Sequence, residues 1–393
     1  MILETFHWIA GSILALAWAS RIVDAAIGMP RLPDVAKPEW DRRPATPNGE
    51  PRVSIIVPAR NEQDDIRATL DSLLALDYSN YEVIAVDDRS TDRTGQIMDE
   101  VAADPAAHSL LRIVHVTELP PGWLGKTHAM WTAANLATGD WLLFTDGDVQ
   151  FKPDSVRRVI AYAEAERADH VVLFPRMVME HPGERMMIAI FQSLFVFGHR
   201  PWKVADPKAR DHMGVGAFNM VRRPVYEAVG TYQVLRMEVL DDMKLGKLVK
   251  NAGFRQRNVF GEDLITLRWV KGAFGIVGNL TKNFFAVLSF QWPRTVASII
   301  VLTFLNLVPF VGIWFSHGWA RLPYAIALLS LLGIYRGMSL LSDVPMYYFF
   351  AHPIGASLVI YTLARSMVLT IRQDGIVWRG TKYPLEDLRR GMV

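Results

Sequence analysis

The sequence predicts an α/β domain with a mostly parallel sheet, flanked by transmembrane helices. Three observations carry that prediction. Short β-branched runs alternate with helical stretches through the middle of the chain, the pattern of a sheet covered by helices on both faces. Two of these runs end on paired aspartates, at the strand ends where such sheets bind ligands. Long apolar stretches stand outside that region, one before it and several after it, each near the length needed to cross a hydrocarbon core.

The first apolar stretch, Ile2 to Ser20, is interrupted only by Glu4, Thr5 and His7. No basic segment precedes it, so residues 1–21 read as a retained anchor rather than a cleaved signal peptide. Arg21, Arg31, Lys37, Arg42, Arg43 and Arg52 follow, and the positive-inside rule puts that side in the cytoplasm. Residues 22–51 carry Pro30, Pro33, Pro38, Pro44, Pro47 and Pro51 with little periodicity, which reads as an extended linker.

From Val53 the pattern is that of a folded α/β domain. Val53–Val57 is a buried strand closed by Pro58, and Glu62–Leu76 places Ile66, Leu70, Leu73 and Leu74 on one helical face. Glu82–Val86 is a second strand running into Asp87-Asp88, followed by a helix from Thr94 to Val101 and a strand from Arg112 to Val116. A helix from His128 to Ala137 and a strand from Trp141 to Thr145, running into Asp146-Gly147-Asp148, complete the alternation.

Beyond residue 270 the character changes. Residues 271–293 mix Lys282 and Asn283 with Phe and Leu and suit an interfacial amphipathic helix. Within residues 294–372, Thr295–Phe315, Leu322–Leu341 and Pro345–Ile371 are each long enough to span. The tail, residues 373–393, carries Arg379, Lys382, Arg389 and Arg390 and is expected on the cytoplasmic side. One span before the domain and three after it would leave the tail outside. Either the 271–293 segment also crosses, or one later stretch is re-entrant.

Composition agrees with this division. Hydrophobic residues make up 51% of the chain and charged residues 21%, with a mean hydropathy of +0.15. A net charge of +2 lacks the basic excess of a nucleic-acid binder. With no cysteine, disulfides, thiolate metal sites and thiol nucleophiles are excluded. The histidines are scattered without metal-site spacing, and no G-x-S-x-G elbow occurs.

The acidic clusters each admit two readings. Asp146 and Asp148 can turn toward one hard cation, or Asp-Gly-Asp can be ordinary turn chemistry. Asp88 can accept from a nucleotide while Ser90 or Asp92 caps the next helix. The turn Pro58-Ala59-Arg60-Asn61-Glu62 can present donors to a nucleotide, and Lys126, on a flexible turn, can meet phosphate as a point charge. Asp241 and Asp242 can cap a helix, or one of them can be a general base. Arg268-Trp269 can be a cation–aromatic pair at a membrane boundary.

In order, these blocks resemble the family 2 inverting glycosyltransferases with a GT-A fold, over about Arg52 to Trp269. The resemblance rests on Val53 through Glu62, Val86 through Asp92, Ala137-Thr138-Gly139-Asp140 leading to Phe144 through Asp148, and Asp241-Asp242. The turn Gly122–Lys126 and the membrane segments are similar to the lipid-acting branch, which includes ceramide glucosyltransferases and enzymes of hopanoid and carotenoid glycosylation. The resemblance implies a catalytic domain over residues 52–270 and a UDP-sugar donor, held at its uridine and ribose by Pro58, Ala59, Arg60, Glu62 and Asp88. Lys126 and Asp146 would lie along the donor, and Asp148, with Asp146, would bind Mg²⁺ or Mn²⁺. Asp242, beside Asp241, would be the base. Gly216, Ala217 and Phe218 would border the acceptor, with Arg268 and Trp269 also on that side.

Two positions depart from the family pattern. Asp241-Asp242 stands where Glu-Asp is common, and Ile265 stands where polymer-forming and lipid-acting members carry Gln or Arg before Arg-Trp. The expected activity is sugar transfer to a lipid-like acceptor of hopanoid, carotenoid, sphingolipid or polyprenyl type. The expected setting is a bacterial inner membrane, with the catalytic domain cytoplasmic. A processive polysaccharide synthase is the rival enzyme, disfavoured by the few spans and by Ile265. A non-catalytic membrane scaffold is the rival of another class, disfavoured by the carboxylates at all three clusters.

Overall fold

The computed structural model describes residues 2–44, 46, 49–105 and 107–393; residues 45, 47 and 48 of the expected linker lie outside them. The chain forms two compact units, one of residues Leu32–Val178, Pro201–Arg268 and Val377–Val393, the other of Met1–Arg31, Met179–Arg200 and Trp269–Ile376.

The first unit is built on a mixed sheet. Its strands are β1 (Val53–Ala59), β2 (Tyr81–Asp88), β3 (Leu111–Val116), β4 (Trp141–Phe144), β5 (Val149–Phe151), β6 (His170–Leu173), β7 (Arg176–Met177), β8 (Asn219–Arg222), β9 (Gln256–Val259) and β10 (Ile265–Leu267). Seven of them pair in the order β3-β2-β1-β4-β8-β6-β9. Only β8 runs against its neighbours. Strand order reverses at β1, with β2 on one side and β4 on the other. That is the topological switch point at which open α/β sheets bind ligands. β5, β10 and β7 form a smaller sheet.

The hydrophobic effect explains the strand runs. Ile55, Val57, Val83 and Ala85 point to one core and Ile56, Ile84 and Val86 to another, all fully shielded, as expected of strands covered on both faces. Pro58 lies inside β1, opposite Val86, rather than closing the strand. The Ile56 carbonyl accepts the Thr145 N–H, so Pro58, two residues on, faces the same side. The ladder with β4 has already ended at Ile56 and Phe144. The missing proline N–H therefore costs no sheet bond.

The segment expected as a free linker is partly built into this unit. Val35 is fully buried, its N–H donates to the Phe260 carbonyl, and the carbonyls of Ala36 and Lys37 accept from Arg158.

The second unit is helical. The stretches Ile2–Arg31, Gly318–Leu341 and Met346–Arg372 are each long and apolar enough to cross a membrane. The helices Ala273–Val287 and Trp292–Asn306 meet at 118° and pass that test only together. The break falls on Ser289 and Phe290, both with left-handed φ values of 57° and 54°, which no helix can accommodate. The expected span Thr295–Phe315 is likewise interrupted, giving way after Asn306 to a short helix, Val308–Phe315, with Pro309 in its first turn. Within the unit, Trp18 donates its indole N–H to the Leu305 carbonyl at 2.9 Å. His352, fully enclosed, pairs with Asn306 and with Tyr335, so these polar groups satisfy one another internally.

Candidate active site

The ends of β1 and β4 bring the Pro58–Glu62 turn and the Asp146–Asp148 cluster together. A side chain on Gly147 would reach within 3.4 Å of the Pro58 carbonyl and 3.5 Å of Glu62 Cγ. After β1 the chain turns through Asn61, whose φ of +54° is left-handed, a conformation asparagine tolerates. The Asn61 N–H donates to Ser90 Oγ at 3.0 Å, Asn61 Oδ1 accepts the Thr91 N–H at 2.8 Å, and the Glu62 N–H donates to Thr94 Oγ1 at 2.8 Å. The loops after β1 and β2 are thereby tied edge to edge.

Asp88, with 4% of its side chain exposed, is held by a partner that sequence reasoning passed over. Arg89 donates to both its carboxylate oxygens, at 2.7 and 3.0 Å, and Arg60 stands 3.7 Å away. The Arg60 Nε is buried and has no hydrogen-bond partner among the described residues. The only signal for Arg89 was its adjacency to Asp88, since its left-handed backbone, φ +55°, is not legible from residue type.

Lys126 is not on a flexible turn. It sits in the first turn of the Gly125–Leu136 helix, which starts there because the buried Leu124 is anchored by its N–H to the Arg236 carbonyl. Its ammonium lies 2.7 Å from Asp146 Oδ1 and 3.8 Å from Asp241 Oδ1. Burial opposes its charge, but Asp146, Asp241 and Asp242 outweigh burial and hold the ammonium above its ordinary pKa.

Asp241 and Asp242 open the helix Asp241–Asn251. Asp241 is buried and accepts from the Tyr232 hydroxyl at 3.2 Å. Asp242 is half-buried and accepts the Met243 N–H at 2.7 Å. Burial first, then the neighbouring Asp241, raises the Asp242 pKa against the pull of Lys126. A half-exposed carboxyl so poised can take a proton near neutrality. Its backbone is held from behind, because Asn219 Nδ2 donates to the Asp242 carbonyl at 3.3 Å and Asn219 pairs in turn with the buried His170.

Asp148 is pushed up to about 7, by burial and then by Asp146 and Glu62. Among the described residues no basic side chain pairs with it, whereas Asp146 has Lys126 and Glu62 has Arg379. An under-neutralised pair of hard oxygen donors fits Mg²⁺ or Mn²⁺. No third His, Asp or Glu converges with them as a metal cluster among the described residues. Phosphate oxygens and water would have to complete the coordination, as is usual for Mg²⁺.

The expected acceptor border divides. Gly216 lies against the acidic cluster: a Cβ there would stand 2.5 Å from Asp146 Oδ2 and 3.4 Å from Lys126 Nζ. Ala217 and Phe218 do not offer side chains to a ligand. They are 3% and 0% exposed, with Phe218 packed on Phe151 and the Ala217 carbonyl accepting from Thr145 Oγ1; apolar burial at the head of β8 explains both. Arg268 falls in the α/β unit, while Trp269 belongs to the helical unit, where it packs on Phe191 at 5.1 Å.

Residues 54–230 match the family model described as "Glycosyl transferase family 2". That stretch is a family 2 glycosyltransferase domain. Two relatives of this family 2 glycosyltransferase are 4,4'-diaponeurosporenoate glycosyltransferases. That of Staphylococcus haemolyticus (strain JCSC1435) is 23% identical over 269 residues, covering 67% of this chain and 69% of its own. That of Staphylococcus aureus (strain USA300) is 20% identical over 343 residues, covering 85% and 88%. The mannosyltransferase PcManGT from Pyrobaculum calidifontis, solved in complex with GDP-Man and Mn²⁺, shares the fold with a TM-score of 0.55 at 19% identity. That match spans 92% of this chain and 99% of that one.

Proposed function

We propose that this enzyme moves a glycosyl group from a nucleoside-diphosphate sugar, a UDP-sugar in the first instance, to a lipid-like acceptor, with inversion at the anomeric carbon. The observation that carries the reading is the convergence of Lys126 with Asp146 and Asp241 at the switch point of the sheet, next to the raised carboxyl of Asp242. Pro58, Ala59, Arg60, Glu62 and Asp88 form the nucleotide side, within reach of Arg89.

In the reaction Asp242 accepts the proton of an acceptor hydroxyl. The oxygen then attacks the anomeric carbon from the face opposite the diphosphate, the new glycosidic bond forms, and the bond to the diphosphate breaks. Asp146 and Asp148 would hold Mg²⁺ or Mn²⁺, which when bound supplies positive charge to the leaving diphosphate. Lys126 fixes Asp146 and lowers the cost of a second carboxylate at Asp242. Most of the acceleration then comes from positioning and preorganised charge.

The lipid acceptor is supported by the apolar helices and by the names of the staphylococcal relatives, which make a carotenoid acid the first acceptor to try. The same helices support residence in a membrane. Membranes carrying the full chain are incubated with radiolabelled UDP-glucose, UDP-galactose, UDP-N-acetylglucosamine or GDP-mannose, with Mn²⁺ and 4,4'-diaponeurosporenoate or total lipid, and extracted with organic solvent. Label in the lipid phase that needs the protein is the expected result. Label confined to an insoluble polymer, or none from any donor, overturns the reading.

A further inference from the structure

The nucleotide side of the site has a second wall, supplied from the far end of the chain. A hairpin of β11 (Gly375–Trp378) and β12 (Thr381–Pro384) turns through Arg379 and Gly380, with φ of +46° and +79°. A non-glycine residue in the left-handed region costs free energy, and such strain persists where the surroundings fix it. What fixes Arg379 is the loop after β1. Its guanidinium donates to the carbonyls of Arg60 and Asn61, the latter at 3.2 Å, and pairs with the Glu62 carboxylate. These contacts span 317 to 319 residues of sequence. From β12, Tyr383, 6% exposed, accepts the Gly125 N–H at 3.2 Å, at the start of the helix that carries Lys126. The same hydroxyl pairs with Arg89, the arginine that grips Asp88.

We propose that Arg379 and Tyr383 are donor-positioning residues. The hairpin sets the shape of the Arg60–Glu62 loop and the aim of the Arg89–Asp88 pair, so that the nucleotide meets a formed site. This rests on the reading of those two loops as the nucleotide side. A planar guanidinium suits the task, because it serves two carbonyls and a carboxylate of one loop at once, which an ammonium cannot reproduce. Without it the left-handed Asn61 loses its outer restraint, and Glu62 faces Asp146 without compensation.

The test uses the full chain in lipid nanodiscs, with UDP and GDP, each with Mn²⁺, titrated calorimetrically, and the nucleotide bound tighter by wild type used throughout. Charge-assisted contacts of this kind carry roughly a tenfold effect or more. Arg379→Ala should raise the nucleotide Kd and the donor KM at least about tenfold, leaving the acceptor KM and melting temperature near wild type. Arg379→Lys should fall between, and Tyr383→Phe should shift the same constants in the same direction by a smaller factor. Folded Arg379→Ala protein that binds nucleotide like wild type overturns the proposal. So does a uniform loss of stability, kcat and both KM values that Arg379→Lys does not repair. Asp88→Asn separates the two layers. If it weakens nucleotide binding while Arg379→Ala does not, only the hairpin inference falls; if neither does, the nucleotide-site reading falls with it.

Discussion

Lys126 Nζ sits 2.7 Å from Asp146 Oδ1 and reaches Asp241 Oδ1 at 3.8 Å. One ammonium thus spans the carboxylate that follows β4 and the pair that opens the Asp241–Asn251 helix. Removing it leaves these acids facing one another. Lys126→Met should reduce transfer by about 100-fold or more, the scale of losing a preorganised charge in a catalytic site. Single-turnover transfer of label at saturating donor measures this directly. A Lys126→Met enzyme within a few-fold of wild type would show that the ammonium has no part in turnover.

The pH dependence follows from Asp242, whose carboxyl burial and Asp241 push up to about 7. As the proposed base it must be ionised, so kcat/KM should rise with pH through that region and level off above it. Stability has the opposite sign. A carboxyl whose folded pKa exceeds its unfolded value contributes stability below the unfolded value, lost as pH rises through the folded one. The donor-free protein should therefore melt at lower temperature at pH 8 than at pH 5, through this group. At saturating Mn²⁺, which favours the ionised form of Asp148, Asp242→Asn should abolish the rising limb and cut turnover by roughly 10³-fold, with nucleotide binding near wild type. Normal turnover by that variant sinks the assignment of the base.

How much of this was legible in the sequence depends on the range of the interaction. Alternating strand and helix put Asp88, Asp146 and Asp148 at strand ends, because hydrophobic period and turn chemistry are local. The grip of Arg379 on the Arg60–Glu62 loop leaves no local trace, since nothing near Arg379 announces a partner more than 300 residues away. The helix Pro182–Gly198 was missed as a companion of the apolar helices because its apolar run, Met186 to Phe197, is broken by Gln192 and Ser193 and is too short to read as a span. The left-handed turn at Ser289 and Phe290 is not legible from residue type, although Pro293 marks the start of the helix that follows it. Phe218 was expected at the acceptor border through resemblance; it stands just before β8 and shares a core with Met220, a placement that depends on a strand that sequence reasoning did not identify.

Gly214 supplies a close approach that tests the link between its own loop and Asp242, the proposed base. A Cβ on Gly214 would overlap the Asp242 carbonyl carbon and oxygen, and backbone atoms cannot swing aside as a flexible side chain can. Gly214→Ala should cost about 1–3 kcal/mol of stability, the usual penalty of overpacking, and should lower kcat more than nucleotide affinity because it moves the base and leaves the loops after β1 and β2 in place. Thermal melting and donor titration on the same preparation separate the two effects. Equal kcat in wild type and variant would mean that Asp242 tolerates displacement and is not the base.

In the helical unit the stability of the Pro182–Gly198 helix depends on Glu184. Only 2% exposed, it accepts the Gly272 N–H at 2.7 Å with one oxygen and the Glu180 N–H at 2.9 Å with the other. It also completes a capping box with His181, so one carboxylate satisfies amides on both sides of a chain crossing. Glu184→Ala leaves those part-buried amides without their acceptor and should cost about 1–2 kcal/mol. Glu184→Gln, which keeps one acceptor oxygen, should recover part of the loss. The readout is the melting temperature of detergent-solubilised full chain. An alanine variant melting with wild type would show that water or another group takes over these amides, and that the carboxylate is not what holds the helix start to Gly272.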